Sequence, residues 1–332
     1  MASPAPDANG TVDVGHLTLD DFRSADTAMV RCLELARAAC RTELPLLILG
    51  ETGTGKTLLA RAIHNSSRRS DGPFVSFNAA ALSDTLLDSQ LFGHEKGAFT
   101  GAQRRVRGKF EIADGGTLLL DEIADMSPLA QAKILRAVEY GEFERLGSER
   151  LHTADVRIVS ATHYPLQRYA GSDQFRRDLF HRISGITLTL PPLRERPLDL
   201  RVLVASAILR AARRQGRSIA GLTPTAAETL FCYRWPGNLR ELDRVISAAV
   251  ALTEGDVIGI GAILVAEDAS VFRPDRADAG DAPASGEDLT LRTAERDHVR
   301  RVLARMGGNK TRAARVLGIS RSRLDRKLTA SK

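Results

Sequence analysis

Residues 50–57 constrain the fold of this chain more than any other stretch. They read GETGTGKT and match the phosphate-loop pattern G-x-x-x-x-G-K-[ST]. The stretch follows the apolar run LPLLILG and precedes the helical pattern LLARAIH, which is the strand, loop and helix context that the pattern requires. Because glycines let backbone N–H groups turn inward around phosphate oxygens, and a helix N-terminus attracts anions, the sequence predicts a nucleotide site. The alternative is a chance glycine-rich turn.

The loop predicts a specific set of nucleotide contacts. We expect the side-chain amine of Lys56 to reach the terminal phosphates of ATP and the hydroxyl of Thr57 to ligate Mg²⁺. The other predicted contacts are Gly50, Glu51, Thr52, Gly53, Thr54 and Gly55.

A second stretch, GGTLLLDE at residues 115–122, contains an apolar run, expected to be a buried strand, that is followed by two carboxylates. Asp121, at the end of the strand, is expected to hold the Mg²⁺, and Glu122 to polarise a water for attack on the terminal phosphoryl group. On its own, an acidic pair after a strand is more often a turn or a helix cap. Together with the phosphate loop it predicts hydrolysis, since the adjacent Asp-Glu favours water over the acceptor of a kinase.

Short apolar runs alternate with amphipathic stretches between residues 44 and 190. The runs are LPLLILG, FVSF, TLLL, RIVSA and ITLTL. Strands that alternate with helices predict a parallel sheet covered by helices on both faces. Ser24 is expected to cap a helix that ends near Cys40. From Asp199 to about Leu252 no strand pattern appears, which predicts a small helical subdomain.

The charge of the chain is divided unevenly. The formal net charge is +6, yet residues 289–332 hold 13 Lys or Arg against 3 Asp or Glu, so this tail carries +10 and the rest −4. A basic tail on a mildly acidic body predicts a nucleic-acid-binding appendage. The sequence has no apolar run long enough for a membrane span and no secretory signal at its start, and its three cysteines are scattered. We therefore expect a reducing, cytoplasmic setting.

The tail segment GNKTRAARVLGISRSRLDRKL, residues 308–328, has the pattern of a helix-turn-helix. Gly318 permits a tight turn, Ser320 can cap the second helix, and Leu324 and Leu328 lie on one face of it. The outward positions of that helix are basic and predict contacts with double-stranded DNA by Arg321, Arg323, Arg326 and Lys327. The alternative is a basic, solvated helical tail.

These motifs, with the hexapeptide GAFTGA at residues 97–102, resemble the AAA+ bacterial enhancer-binding proteins that activate sigma-54 RNA polymerase. The resemblance runs over residues 22–265 and again over 289–330. The hexapeptide alone leaves two interpretations: a loop whose Phe99 folds back onto its own domain, or one that presents Phe99 to another protein. The resemblance favours presentation, since it implies a surface loop whose Phe99 and Thr100 touch the sigma factor.

The resemblance also implies roles for residues outside the phosphate loop. FVSFNAAAL places Asn78 where the family has an asparagine that restrains the catalytic glutamate, here Glu122. FRRDLFHR implies two arginine fingers, Arg176 and Arg182, that act on the nucleotide of a neighbouring subunit, so the active species is an oligomeric ring. WPGNLREL implies that Arg240 reaches the nucleotide from the helical subdomain, and LPPLRER is a further landmark of the family.

Two positions depart from the family's pattern. Thr57 follows the phosphate-loop lysine where the family usually has an acidic residue, and because its hydroxyl suits Mg²⁺ no loss is expected. The first-sensor stretch usually ends Ala-Thr-Asn, whereas this chain has Ala161-Thr162-His163. We retain Thr162 as a nucleotide sensor. His163 can donate a hydrogen bond as asparagine does, but it is bulkier and can titrate, so hydrolysis or nucleotide sensing is expected to differ.

The motifs predict an α/β P-loop NTPase with a parallel sheet and a helical subdomain, followed by an all-α helix-turn-helix domain, and the resemblance implies that the first is of the AAA+ type with a lid and that the second resembles the Fis-type module of the same family. The predicted divisions are 1–21 (short or disordered), 22–198 (α/β ATPase subdomain), 199–265 (helical subdomain), 266–288 (linker) and 289–332 (DNA-binding domain).

We expect an ATP-hydrolysing activator that binds enhancer DNA and converts the closed complex of sigma-54 RNA polymerase to the open complex. It is expected to assemble with itself, from a dimer to a hexameric ring. Since only about 20 residues precede the ATPase domain, regulation in trans is expected, by another protein or by the level of expression. The alternatives are a DNA-binding repressor on the same scaffold and a general AAA+ remodelling ATPase.

Overall fold

The structure is a computed structural model that describes residues 16–80, 83–166 and 174–266, and Lys310. The chain divides into two compact units, residues 1–274 and 275–332. The basic residues predicted to contact DNA belong to the second unit and lie outside the described residues, as does the predicted linker beyond residue 266.

A five-stranded parallel sheet forms the centre of the first unit. The described strands are β1 (Leu46–Leu49), β2 (Phe74–Asn78), β3 (Gly93–His94), β4 (Val106–Arg107), β5 (Thr117–Asp121), β6 (Glu142–Glu144), β7 (Leu151–Thr153), β8 (Arg157–Thr162), β9 (Ile186–Thr189), β10 (Gly221–Leu222) and β11 (Val257–Ile258). The order in the sheet is β2-β5-β8-β1-β9, with every pair parallel. All five apolar runs predicted as strands lie in this sheet, so the predicted parallel sheet is confirmed.

Helices connect these strands and build the lid. The described helices are α1 (Thr27–Ala39), α2 (Lys56–Asn65), α3 (Asp84–Phe92), α4 (Lys109–Ile112), α5 (Pro128–Tyr140), α6 (Arg177–Ile183), α7 (Pro197–Arg214), α8 (Pro224–Cys232), α9 (Asn238–Leu252) and α10 (Ile260–Ala266). None of the helices in the described ranges has the length and apolar character that crossing a membrane would need.

Successive residues of the central strands pack into two different cores, one on each face of the sheet. Leu47, Leu118 and Leu120 belong to one core, while Ile48 and Leu119 belong to the other. All five side chains are fully buried, and each stabilises the fold by roughly 1.5–3 kcal/mol. Burial on both faces explains why these strands appear in the sequence as continuous apolar runs without alternation.

The parallel register brings the carboxyl ends of neighbouring strands to one edge of the sheet. Leu49 of β1 pairs with Thr162 of β8. Asp121 of β5 lies between Ala161 of β8 and Asn78 of β2. Residues that follow these strands therefore meet at this edge, however far apart they are in the sequence.

Residues 197–266 form a helical lid with a core of its own around Trp235, which is fully buried. Within the described part of the chain, this core shares no residue with the two cores of the sheet. The predicted helical subdomain is confirmed. The expectation of no strand before Leu252 is wrong for Gly221–Leu222, which pairs in parallel with Val257–Ile258, because a two-residue strand is too short to show a periodicity.

Two aspartates join the start of helix α1 to the start of the lid helix α7. Asp26 accepts hydrogen bonds from the backbone N–H groups of Leu198 (3.3 Å) and Asp199 (2.8 Å). Asp199 in turn accepts hydrogen bonds from the Ala25 N–H (3.0 Å) and the Ser24 hydroxyl (2.7 Å). Asp26 thus caps the start of helix α7, and Asp199 holds the two residues that precede Asp26. The N-cap of helix α1 is Asp26 and not Ser24 as predicted, and the Ser24 hydroxyl donates to Asp199 of the lid.

The carboxylate of Asp199 is buried and ionised. Only 5% of the residue is exposed, and the Arg196 guanidinium donates two hydrogen bonds to Oδ2, at 2.9 and 2.8 Å. Burial acts to raise the pKa of Asp199, but the hydrogen bonds from Ser24, Ala25 and Arg196 and the charge of Arg196 outweigh it, so the pKa lies below its ordinary value.

Replacing Asp199 by Asn should lower the free energy of unfolding by about 2 kcal/mol at pH 7, because three donors lose an ionised acceptor. The pKa of Asp199 is lower in the folded protein than in the unfolded chain. Its contribution is therefore present above the unfolded value, about 3.9, and is lost as the pH falls through the folded value. Denaturant titrations followed by fluorescence of Trp235, the single tryptophan of the chain, measure this difference. A difference that does not shrink between pH 7 and about pH 3 contradicts the assignment.

Candidate active site

The phosphate loop lies between β1 and helix α2. Helix α2 begins at Lys56, so the first N–H groups of this helix have no helical partner and are available to phosphate. Gly53 (φ 81°) and Gly55 (φ 101°) have left-handed backbones, which favour glycine. A Cβ on Gly53 would lie 2.2 Å from the carbonyl oxygen of Gly237 in the lid. Glycine at this position therefore lets the lid contact the loop.

Lys56 connects the loop to the acidic pair. Lys56 is 6% exposed, and its side-chain amine donates hydrogen bonds to the carbonyl oxygens of Gly50 (2.9 Å) and Glu51 (3.3 Å). The same amine lies 3.7 Å from Oε1 of Glu122. The structure thus brings the predicted phosphate-binding cation next to the predicted catalytic carboxylate.

Thr57 and Asp121 supply two hard oxygen donors at the mouth of the loop. The Thr57 hydroxyl donates to Oδ2 of Asp121 at 3.3 Å. Burial, and then the charge of Glu122, raises the pKa of Asp121, while Lys56 and Thr57 act to lower it. Mg²⁺ prefers oxygen ligands, and a cation here would favour the ionised form of Asp121. This donor set fits the predicted ion.

Glu122 lies at the turn that follows β5, with a left-handed backbone (φ 52°). Its Oε2 accepts a hydrogen bond from the backbone N–H of His163 (3.3 Å) and contacts Nδ1 of the His163 ring (2.8 Å). The side chain is 16% exposed. His163, which departs from the family's first-sensor pattern, therefore contacts the predicted catalytic base Glu122. The sequence did not indicate this contact.

The restraint of Glu122 by Asn78 that the resemblance implied is not a contact of this structure. The backbone of Asn78 pairs with Asp121, but its side-chain Oδ1 accepts a hydrogen bond from the N–H of Ala80 (2.8 Å). Such a bond to the residue two positions later is typical of asparagine in a local turn. A role for Asn78 in restraining Glu122 stays a prediction.

Thr162 ends strand β8 and is fully buried. Its hydroxyl accepts a hydrogen bond from the Tyr164 N–H (3.1 Å), and its carbonyl oxygen accepts one from the Gly50 N–H (3.3 Å). The predicted sensor thus bonds through its backbone to the first residue of the phosphate loop. Its response to nucleotide stays a prediction.

The lid reaches the phosphate loop through the fully buried Asn238, whose backbone is left-handed (φ 51°). The Asn238 amide donates to the Thr52 carbonyl oxygen (3.0 Å) and to Oε2 of Glu51 (3.2 Å). Its Oδ1 accepts from the N–H of Leu193 (2.7 Å). One side chain therefore joins three segments: the loop, the chain that leads into the lid, and helix α9.

Arg240 lies on the same helical turn as Asn238. A Cβ on Gly53 would lie 3.3 Å from Cβ of Arg240, and the neighbouring Leu239 N–H donates to the Gly53 carbonyl oxygen (2.9 Å). The structure places Arg240 beside the phosphate loop, with its side chain exposed. Contact of Arg240 with a nucleotide stays a prediction.

Arg194 and Asn238 were not among the predicted site residues. Arg194 donates two hydrogen bonds to the carboxylate of Glu51, at 2.6 and 2.8 Å, and these bonds are the main cause that lowers the pKa of Glu51. Both residues lie in stretches that the sequence singled out, LPPLRER and WPGNLREL. A motif signals that its residues matter, but it does not name the side chain that each one contacts.

The two predicted arginine fingers do not lie at the site of their own chain. Arg176 pairs with Asp178 (2.7 Å), and Arg182 donates to the carbonyl oxygen of Glu139 (2.9 Å). Among residues 16–80, 83–166 and 174–266, neither side chain contacts the phosphate loop or the acidic pair. Their action on the site of a neighbouring subunit stays a prediction.

The hexapeptide loop joins β3 to β4, which pair antiparallel. The Phe99 ring lies edge-on against His94 with the ring centroids 5.0 Å apart, and Nδ1 of His94 contacts the Ser89 hydroxyl (2.8 Å). Phe99 is half-buried, whereas Thr100 is exposed. In this structure the ring is folded back onto its own domain, which is the first of the two interpretations. Presentation of Phe99 to another protein stays a prediction.

Buried ion pairs hold the base of this loop. The Arg145 side chain is 3% exposed and donates to Glu95 (2.7 Å) and Glu111 (2.6 Å). Burial acts to raise the pKa of Glu111, but Arg145 and Arg107 outweigh it and lower that pKa. Glu95 also donates its N–H to the carbonyl oxygen of Leu146 (3.0 Å). The tip of the loop therefore stands on a rigid base.

The parallel sheet, phosphate loop, acidic pair and helical lid define an AAA+ P-loop NTPase. The family profile described as the Sigma-54 interaction domain matches residues 22–189, and that of the AAA+ ATPase lid domain matches residues 194–266. A third profile, of the Fis family of bacterial regulatory proteins, matches residues 290–330. The chain belongs to the family of sigma-54-dependent transcriptional activators. The domain bounds that the sequence predicted stay predictions.

Several characterised proteins are similar over most of the chain. The transcriptional regulatory protein ZraR of Klebsiella oxytoca is 44% identical over 289 residues, which are 87% of this chain and 64% of that protein. The regulatory protein AtoC of Escherichia coli K12 is 43% identical over 320 residues, covering 95% of this chain and 67% of that protein. The Nif-specific regulatory protein of Klebsiella pneumoniae is 40% identical, covering 91% and 57%. This chain spans about two thirds or less of the length of these relatives.

Solved structures of NtrX from Brucella abortus share the fold. The complex with ADP is 34% identical and has a TM-score of 0.64, covering 93% of this chain and 68% of that one. The complex with ATP is 33% identical, also with a TM-score of 0.64, covering 93% and 69%.

Substituting Asn238 by Ala should weaken the attachment of the lid and the binding of a fluorescent ATP analogue, because Leu193 and Thr52 lose a buried partner. We expect the free energy of unfolding to fall by about 2 kcal/mol. Arg194→Gln is the matched control, since its ion pair with Glu51 is largely exposed and should cost less than about 1 kcal/mol. Denaturant titration and equilibrium binding measure both. Equal effects of the two substitutions would contradict the central role of Asn238.

Proposed function

We propose that this protein is an ATP-hydrolysing activator that binds enhancer DNA and converts the closed complex of sigma-54 RNA polymerase to the open complex through the loop at residues 97–102. The observation that carries the proposal is the meeting of Lys56, Thr57, Asp121 and Glu122 at one edge of the sheet. The ATP-bound relative NtrX supports ATP as the nucleotide.

Hydrolysis of ATP follows from the chemistry of these groups. The Lys56 amine neutralises charge on the terminal phosphates, and the N-terminus of helix α2 adds N–H donors. Thr57 and Asp121 would hold Mg²⁺, which supplies Lewis-acid polarisation of the phosphate oxygens. Glu122 accepts a proton from the attacking water, because its Oε1 lies 3.7 Å from the amine that marks the phosphate site.

Remodelling of the polymerase depends on the hexapeptide loop. The Phe99 ring contacts His94 and its carbonyl oxygen accepts a hydrogen bond from the Ala102 N–H (3.0 Å), whereas the base of the loop is held by the ion pairs of Arg145 with two carboxylates. A tip whose polar contacts are mostly within the loop, on a base held by ion pairs, suits a segment that alternates between a docked and a raised position. In the raised position Phe99 and Thr100 would contact the sigma factor.

A ring of subunits completes the hydrolysis site. Arg176 and Arg182 pair with groups of their own subunit away from its phosphate loop. Supplied by a neighbouring subunit, their guanidinium groups would neutralise charge that develops on the phosphoryl group. Hydrolysis then requires assembly, which links ATP turnover to the oligomeric state.

The Fis-type segment favours an activator or repressor that binds DNA over a general remodelling ATPase. Arg321, Arg323, Arg326 and Lys327 would contact double-stranded enhancer DNA. The intact hexapeptide favours an activator over a repressor, since a repressor does not need to contact the sigma factor.

Single-round transcription from a sigma-54 promoter with its enhancer tests this function. Thr100→Ala should hydrolyse ATP as the wild type does and yield no open complex, because only the sigma contact is removed. Glu122→Gln should bind ATP but lower its turnover by about 100-fold or more. Transcripts from Thr100→Ala at the wild-type level would contradict the proposed role of the loop.

Mixing two inactive variants tests the arginine fingers. Arg176→Ala subunits lack one of the two fingers but keep Glu122, whereas Glu122→Gln subunits keep both fingers but hydrolyse ATP about 100-fold or more slowly. Mixed rings should regain part of the ATPase activity that neither variant has alone. Arg177→Ala, at the neighbouring exposed arginine, is the matched control and should hydrolyse ATP without mixing. No recovery in the mixtures would contradict a finger that acts between subunits.

A further inference from the structure

His163 lies where strand β8 ends, directly after the predicted sensor Thr162. Its backbone N–H donates to Oε2 of Glu122 at 3.3 Å, and Nδ1 of its ring lies 2.8 Å from the same oxygen. Strand β8 pairs with β5, and 41 positions separate the two residues in the sequence. The contact therefore depends on the sheet and not on a local turn.

This geometry commits one oxygen of Glu122 and leaves the other available. In the arrangement that we infer for this pair, Nδ1–H of His163 is the donor and Oε2 of Glu122 the acceptor of the contact at 2.8 Å. With Oε2 held by two donors of one residue, Oε1 is turned toward Lys56, 3.7 Å away. The available oxygen thus faces the side on which the terminal phosphate would bind.

The imidazole is itself held in place. Its ring packs against the Tyr164 ring with the centroids 4.0 Å apart, and the Tyr164 N–H donates to the Thr162 hydroxyl (3.1 Å). The side chain of His163 is 35% exposed, so packing alone would leave it mobile. The Tyr164 ring on one side and the Glu122 carboxylate on the other define one orientation.

We propose that His163 is a positioning residue that orients the catalytic carboxylate of Glu122 for attack of water on ATP. The proposal rests on the hydrolysis argued above. A base oriented by a third group is a general requirement of proton-transfer catalysis. In this structure the Asn78 side chain bonds to Ala80, whereas the His163 ring contacts Oε2 of Glu122 at 2.8 Å.

Three substitutions at one position separate the donor from the shape of the ring. His163→Phe keeps the ring beside Tyr164 but removes the Nδ1 donor, His163→Asn keeps a donor without the ring, and His163→Ala removes both. In steady-state ATPase assays we expect His163→Phe and His163→Ala to lower kcat by about tenfold with little change in KM, because misplacing the base affects the chemical step. His163→Asn should restore most of kcat. Combined with Glu122→Gln, His163→Phe should have no further effect.

A spectroscopic measurement reports the contact without turnover. In protein labelled with ¹⁵N-histidine, which has seven imidazoles, the signal lost in His163→Asn identifies His163. In the nucleotide-free wild type we expect the Nδ1 of His163 to show the shift of a protonated, hydrogen-bonded nitrogen, and Glu122→Ala should change that shift.

Three outcomes would overturn the proposal: a kcat of His163→Phe equal to that of the wild type, a loss confined to KM, or an Nδ1 signal insensitive to Glu122→Ala. Each of these is compatible with a wild type that hydrolyses ATP and opens promoters, so the proposed function would stand. If instead the wild type hydrolyses no ATP, the proposed function fails and this inference fails with it.

Discussion

The parallel register of β1, β5 and β8 is the constraint on which the candidate site depends. It brings together groups that are far apart in the chain: 64 positions separate Thr57 from Asp121, and 41 separate Glu122 from His163. Because both faces of these strands are covered by apolar cores, a slip of one residue would move every side chain from the core it fits into the other core. The packing that buries the sheet therefore also fixes the relative positions of the predicted catalytic residues.

The sequence was sufficient to predict the sheet, the phosphate loop and the acidic pair, and the physical reason is that each is specified locally. A strand buried on both faces needs a continuous apolar run, and the runs that contain Leu47 and Leu119 show it directly. The loop needs glycine where its backbone is left-handed, as at Gly53 and Gly55. The two-residue strand at Gly221–Leu222 was not predicted, because no local sequence pattern specifies it.

The side-chain partners could not be predicted, because each depends on which segments the fold brings together. Asn78 is within reach of a strand neighbour and of its own turn, and it bonds to the turn. His163 departs from the family's pattern, but only the pairing of β8 with β5 reveals that it contacts Glu122. Likewise, the motif that contains Asn238 does not show which groups this residue contacts. Those contacts follow only from the position of the lid on the phosphate loop.

The attachments of the lid have a mechanical consequence. The lid has its own core, and in the described residues two sets of hydrogen bonds join it to the sheet domain: those that Asp26 and Asp199 accept, and those that Asn238 and Leu239 donate to the phosphate loop. A rigid body held at two points keeps one degree of freedom, rotation about the line between them. Because one end of that axis is at the phosphate loop, a small rotation of the lid would turn Arg240 about the site while leaving the loop in place.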